Sequence, residues 1–385
     1  MNEKQLPKIR VCLIHNQITP YRLPLFEELN KNVELTVLFC QSRSKDRLWH
    51  SDLENYSFHY RVLGGFNLGP FIINYSIIPV LVRKDVDVYI IGENFENIFS
   101  TFFCCFLSKL KKKPFLIWTE AIDTHFLIMR NEERLKRKYI QTFYDSTCIC
   151  YRRFLYKLTD GFIAYSQKAR KYLIQNGVKP EKISCGGQVI PIDRILLPDA
   201  LEQKQPITKK KKIILSIGYL RFEKGIDILI KAFKKTGRDD SVLVIGGSGP
   251  ELKRLKELSE NDTNIQFLGY LSETKKSYYF SIADIFVLPT FHDPWGLTVN
   301  EAMSYGLPII ITHAAGCIDY LIEGNGIIVN PGNIDELQKA LQYLLDDKEI
   351  REKMGEKSRE ILLRFDLKTG VKPFIDAISY VTQAE

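Results

Sequence analysis

Cysteine is sparse in this sequence, with eight residues in 385. The close pairs Cys104-Cys105 and Cys148-Ile149-Cys150 have neither zinc-knuckle nor redox C-x-x-C spacing. A chain of this length can bury large cores without disulfide or metal staples. Cys12, Cys40, Cys104 and Cys105 stand in strand-like or apolar contexts, as buried free thiols do, and a reducing, cytoplasmic setting is expected. Long apolar runs are also missing. The longest, about Ile98 to Leu107, falls short of the ~18–20 residues that span a bilayer, so no membrane-crossing helix is expected. Met1 to Arg10 lead directly into a strand-like run, so no signal peptide is expected. With 16 Pro and 23 Gly, 45% hydrophobic and 26% charged residues, the composition excludes collagen-like repeats, coiled coil and disorder. At roughly 150 residues per domain, two or three domains are expected.

What is present is an alternation of short β-rich runs and longer helical patterns. Val11–His15, Val33–Cys40, Val86–Ile91, Pro114–Trp118 and Gly161–Ser166 are near-continuous apolar runs, the pattern of parallel strands covered on both faces. The polar, lysine-rich stretch 201–212 interrupts the rhythm and reads as a linker. The alternation then restarts with Ile213–Gly218, Ser241–Gly247, Asn264–Gly269, Asp284–Thr290, Pro308–Thr312 and Gly326–Asn330. The fold class is therefore α/β, with two Rossmann-like, doubly wound parallel-sheet domains. Residues 1–205 form the first and 213–365 the second, with 366–385 following as a C-terminal segment. Ligands of such domains sit beyond the carboxyl ends of the strands, here facing a cleft.

The chemical signal is concentrated in the second half. Gly218-Tyr219-Leu220-Arg221-Phe222-Glu223-Lys224-Gly225 is a strand-to-helix turn whose two cations suit a diphosphate; a solvated turn with ordinary surface charges would read the same. Gly246-Gly247-Ser248-Gly249-Pro250 lets backbone approach a ligand, but it is neither a full G-x-G-x-x-G nor a P-loop, and tight strand–helix packing explains it equally well. The strongest feature runs from Phe291 to Pro308. Asp293 lies in a loop, Gly296, Leu297 and Thr298 begin a helix, and Glu301 follows on it. Such a segment can present one acid to a sugar, amides to phosphate and a second acid to ribose hydroxyls; a buried apolar helix preceded by a capping acid would read the same.

Together with Phe267-Leu268-Gly269, Ala283-Asp284 and Ala302-Met303-x-x-Gly306-Leu307-Pro308, these residues resemble family four of the retaining GT-B glycosyltransferases, along nearly the whole chain. Pro20-Tyr21-Arg22-x-Pro24-Leu25-Phe26 and Ala164-Tyr165-Ser166 resemble its acceptor-domain landmarks, and the final segment, 366–385, resembles its closing helix, which crosses back to the first domain. The resemblance implies that Lys224 holds the donor diphosphate and that Glu301, the second acid of an E-x7-E motif, binds the ribose. It places the backbone of Gly296, Leu297 and Thr298 against phosphate and sugar, and Gly269, Tyr270 and Leu271 around the nucleobase. Gly218, Gly247 and Gly249 complete the donor set. Asp293 stands where the family has Glu, and Tyr219 where it has Arg, with Arg221 the substitute two residues on. The catalytic set is therefore Glu120, Lys224, Arg221 and Asp293, with Glu120 beside the acceptor and His125 the second choice for that role.

The expected reaction moves a hexosyl unit, with retention, from a nucleotide sugar to a saccharide or lipid-linked saccharide, in cell-surface polysaccharide or glycolipid assembly. No metal and no other cofactor are expected, because cations and a helix N-terminus can stabilise the leaving diphosphate. The alternatives are a nucleotide-sugar epimerase or hydrolase of the same fold and a non-catalytic nucleotide binder. Asp85-Val86-Asp87 reads as D-x-D but precedes its strand, which marks it as structural.

The net charge is +8. Lys109, Lys111, Lys112 and Lys113 form one basic cluster. Arg134 to Lys157 carries seven Lys/Arg against one acid, interleaved with aromatics. That combination fits an anionic membrane surface on the cytoplasmic face; it also fits an amphipathic core helix with a solvated basic face. No nucleic-acid partner is expected.

Overall fold

The computed structural model describes residues 8–42, 53–83, 85–123, 150–191, 211–260 and 262–383. Most of the linker stretch, His125 and the first part of the Arg134–Lys157 segment lie outside the described residues. The chain forms two compact units, both parallel-sheet α/β. One comprises the described residues up to Asp123, those of 150–187 and the C-terminal helix Leu367–Thr382; the other runs from Gln188 to Asp366.

The first unit is built on seven strands: β1 Arg10–Gln17, β2 Glu34–Gln41, β3 His59–Val62, β6 Val88–Gly92, β7 Phe115–Thr119, β8 Gly161–Ala164 and β9 Ile183–Cys185. Their order is β3-β2-β1-β6-β7-β8-β9, every pair parallel. A small antiparallel pair, β4 Phe66–Leu68 with β5 Phe71–Ile73, stands apart from this sheet. The central strands are apolar on both faces because helices cover both: β7, FLIWT, is buried at every position. The helix Leu367–Thr382 packs on this unit. Phe374 meets the Trp118 ring edge-on at 4.9 Å, and a Cβ at Gly186 would stand 2.2 Å from Pro373, so only glycine lets the helix approach there.

The second unit has six parallel strands: β10 Lys212–Ile217, β11 Ser241–Gly246, β12 Ile265–Gly269, β13 Ile285–Leu288, β14 Ile309–Thr312 and β15 Gly326–Val329, in the order β12-β11-β10-β13-β14-β15. Its crossover helices carry local signals. Ser272 and Asn333 cap theirs, their side chains accepting from the amides of Lys275 and of Asp335 and Glu336. Gly237, at φ 61°, ends the helix Ile226–Thr236 in the left-handed conformation glycine tolerates. Apolar clusters fill both faces of the sheet.

In each sheet the strand order reverses once, between β1 and β6 and between β10 and β13. In sheets of this kind ligands bind beyond the carboxyl ends of the strands at such switch points.

Candidate active site

At the second unit's switch point, the loops after β10 and β13 are stitched together. The Glu223 carbonyl accepts from the Phe291 amide at 2.7 Å and from Thr290 Oγ1 at 2.9 Å. Gly225 carries φ 69°, and a Cβ there would lie 2.0 Å from the Pro289 carbonyl oxygen, so this junction is closed to any other residue. The stitching brings Lys224 to Asp293: Nζ donates to Oδ2 at 2.7 Å, with both side chains mostly shielded from water. Oδ1 of Asp293 accepts from the Trp295 amide at 3.2 Å, which fixes the carboxylate. Two residues assigned separate roles from the sequence thus form one ion pair.

Gly296, at φ 94°, turns the chain into the helix Leu297–Ser304. The amides of Leu297 and Thr298 head that helix, where the helical pattern supplies no acceptor, so they form a ready anion-binding edge. Trp295 is locked below it: its indole Nε1 donates to Asn300 Oδ1 at 2.8 Å, and Asn300 Nδ2 donates to the Gln188 carbonyl at 3.1 Å.

Glu301 accepts from Lys276 Nζ at 2.6 Å through Oε1, while its buried Oε2 has no hydrogen-bond partner among the described residues. Burial raises this carboxyl above its ordinary value, against the pull of Lys276. Lys276, on the helix Glu273–Ile282, escaped the sequence reading; a lysine in a K-K-S context gives no sign that it faces a carboxylate 25 residues on.

The glycines divide into two kinds. Gly247 (φ 129°) and Gly249 (φ 158°) stack backbone on backbone: a Cβ would lie 1.8 Å from the Gly218 oxygen and 2.4 Å from the Leu220 oxygen. Hydrogen bonds from Gly218 to the Gly246 carbonyl and from Leu220 to the Ser248 carbonyl close the stack. Their evident job is to let two loops touch. Gly218 and Gly269 instead face space, since a Cβ at either would meet no described atom within 4 Å. Tyr270 is exposed, whereas the Leu271 side chain turns inward and would crowd any Cβ at Gly246. Arg221 is exposed, its guanidinium 4.9 Å from the Tyr219 ring centroid.

The first unit's switch point is furnished differently. Arg22 is buried with its guanidinium 4.7 Å from the Trp118 ring and 4.8 Å from the Tyr165 ring. Burial, reinforced by Arg22, lowers the His15 pKa to about 4. Glu120, the acceptor-side candidate, is exposed just past β7. Its neighbour Thr119 donates from Oγ1 to Glu93, a buried carboxylate that also accepts from Arg152 Nε at 2.5 Å and from the Tyr156 hydroxyl at 3.1 Å. Neither Glu93 nor Arg152 was singled out individually from sequence. They are 59 residues apart, and nothing local announces the pair. Asp85 and Asp87 are both engaged by Arg10, Asp87 through Nε and Nη2 at 2.9 Å each, so the D-x-D serves as an ion-pair anchor for β1. Among the described residues no group of three or more His, Cys, Asp or Glu is arranged to hold a metal ion.

Residues 199–361 match the family described as glycosyl transferases group 1. An uncharacterized glycosyltransferase of Haemophilus influenzae is 32% identical over 42% of this chain and 48% of its own. One from Methanocaldococcus jannaschii is 26% identical over 76% of this chain and 75% of its own. The chain spans about half the length, or less, of several curated relatives that it matches. Among solved structures, Anabaena HepE in complex with UDP superposes with a TM-score of 0.73 at 16% identity, covering 96% of this chain and all of that one, and the fold is of the GT-B class.

Proposed function

We propose, from the match of residues 199–361 to the glycosyl transferases group 1 family, that the chain transfers a hexosyl unit from a nucleotide sugar to a hydroxyl of a saccharide or lipid-linked saccharide. The observation that carries the reading is the assembly at the β10/β13 switch point: Lys224 paired with Asp293, with the leading amides of Leu297 and Thr298 and the carboxylate of Glu301 on the helix that follows.

Breaking a glycosyl–phosphate bond leaves extra negative charge on a nucleoside diphosphate. Lys224 and the two amides supply positive charge for it, and Arg221 adds an exposed cation. Asp293 accepts from a hydroxyl of the donor sugar while restraining Lys224. The unpartnered Oε2 of Glu301 is the acceptor for a ribose hydroxyl. Retention follows from a same-face displacement in which the leaving phosphate takes the acceptor proton, so no protein nucleophile is needed. These groups carry the role a divalent cation would otherwise fill, and we propose turnover without one. On the acceptor side, Glu120 is the group proposed to contact the incoming hydroxyl. Cell-surface polysaccharide or glycolipid assembly, at the cytoplasmic membrane face, is the proposed setting.

The test is incubation of the full chain with single nucleotide sugars and a mixed saccharide and glycolipid acceptor pool in chelator. Nucleoside diphosphate release that requires acceptor, with an α-configured product from an α-configured donor, supports the reading. Release without acceptor points to a hydrolase, conversion of the sugar to an epimerase, and binding without turnover to a nucleotide-binding protein.

A further inference from the structure

The helix Ile98–Leu110 is inverted relative to a globular-protein helix. Its inward face is built largely from small polar and thiol residues: Ser100, Thr101, Cys104, Cys105 and Ser108 are buried. The hydroxyls are satisfied, Ser108 donating to the Cys105 carbonyl at 2.7 Å, Thr101 to the Asn97 carbonyl at 3.1 Å and Ser100 to Asn74 Oδ1 at 3.2 Å. Its outward face carries the bulk. Phe99, Phe102, Phe106 and Leu110 fall at i, i+3, i+7 and i+11, one stripe of a helix, and Phe106 and Leu110 are 63% and 64% exposed. Leaving such side chains in water forgoes the burial free energy that normally places them inside. The aromatic surface continues beyond the helix, with the Phe102 ring centroid 6.2 Å from that of Phe154, itself 55% exposed. A contiguous exposed apolar face rimmed by polar residues marks an interaction site.

We infer that this face docks the first unit on an anionic lipid bilayer, the stripe entering the headgroup–acyl boundary with the helix lying in the membrane plane. The charge at its rim selects the occupant. Lys112 and Lys157 are exposed and make no ion pair among the described residues, and Arg153 is exposed beside Phe154. A second copy of the chain seated about a two-fold axis would set these cations against themselves, whereas anionic headgroups complement them. The lysine cluster seen in sequence contributes less than its count, because Lys109 pairs with Asp160, Lys113 with Asp87, and Lys111 donates to the Leu81 and Val82 carbonyls. The inference sharpens the proposal of a lipid-linked acceptor but does not need catalysis to be tested.

The experiment is co-sedimentation of the full chain with phosphatidylcholine vesicles, with and without phosphatidylglycerol, for the parent protein, Phe106→Ser and Lys112→Glu. The parent should partition onto the mixed vesicles and little onto the neutral ones. Phe106→Ser should weaken partitioning on the order of tenfold or more, and Lys112→Glu about fivefold or more. Because both side chains are exposed, the variants should unfold at the parent's denaturant midpoint, and a nucleoside diphosphate should still stabilise them. Phe106→Trp adds a fluorescence readout, the emission of the introduced indole shifting to the blue on mixed vesicles only. No partitioning by the parent, equal partitioning by Phe106→Ser, or a dimer that Phe106→Ser dissociates while vesicles leave the emission of the Phe106→Trp protein unmoved would each overturn the inference.

Discussion

The two units share one architecture and differ in what they place at the point where the sheet order reverses. The second unit places glycines and a helix N-terminus there: Gly218 and Gly269 face open space, and Gly296 turns the chain so that two amides lead a helix. The first places large side chains there, Arg22 against Trp118 and Tyr165 and Glu93 inside a ring of donors. Exposed backbone at a switch point suits an anionic ligand of constant chemistry, since amides and a restrained lysine recognise any diphosphate. A side-chain-lined switch point suits a ligand that varies, because side chains can change without disturbing the sheet. In the proposed reaction the difference matches the constant donor to the second unit and the variable acceptor to the first.

The largest expected effect lies in the second unit. Lys224→Ala should lower kcat on the order of 10²–10³ in steady-state turnover at saturating donor, by removing charge that the leaving diphosphate needs. Equal loss from an alanine at Glu120 alone would move the critical charge to the first unit and break the comparison.

A pH titration separates the units next. His15 titrates at about 4 in the folded protein against 6.5 when unperturbed. The unfolded chain therefore binds more protons between these values, and stability rises with pH across them. The contribution, roughly 3 kcal/mol, is fully present above pH 6.5 and is lost as pH falls through 4. Denaturant unfolding followed by tryptophan emission, which includes Trp118 of the first unit, should show this loss, and His15→Gln should flatten the slope. Glu301 carries the opposite sign, since its raised carboxyl makes its contribution greatest below 4.5 and loses it as pH rises through the folded value.

Glu93→Gln should follow in size. It takes the counter-charge from the shielded Arg152 guanidinium and leaves only a hydrogen bond to a neutral amide, costing about 2 kcal/mol of first-unit stability, while nucleoside diphosphate affinity stays at the parent value by calorimetry. Smallest is Arg221→Ala, where an exposed cation resting on Tyr219 should cost about tenfold in kcat/KM, well short of Lys224.

How far these features could be read beforehand depended on sequence separation. The parallel strands were legible because burial on both faces leaves a run such as FLIWT without polar interruption. The short strands β3, β4 and β5 were not, since three or four residues are too few to establish a period or a buried run. The segment from Asp293 to Glu301, proposed for the donor, was visible because one loop and one helix turn carry it, with a glycine at the corner. The Lys224–Asp293 bond, 69 residues apart, and the Glu93 cluster arise only when strand order brings distant loops together. The exposed stripe on Ile98–Leu110 was hidden for another reason. Burial of Cys104 and Cys105 was expected, but the run is apolar throughout, and only packing shows that Phe99, Phe102, Phe106 and Leu110 took the outside.

The most direct measurement is thermal unfolding of the parent protein and of Lys224→Ala with UDP, GDP and ADP and their sugar conjugates, in chelator. At one hundred times its Kd, a ligand should stabilise the parent by roughly 2.7 kcal/mol. The expected result is a shift selective for one base in the parent, sharply reduced in Lys224→Ala. A parent that shifts with none of them, or a Lys224→Ala protein that shifts as fully as the parent, would contradict the assignment of the donor diphosphate to the β10/β13 switch point.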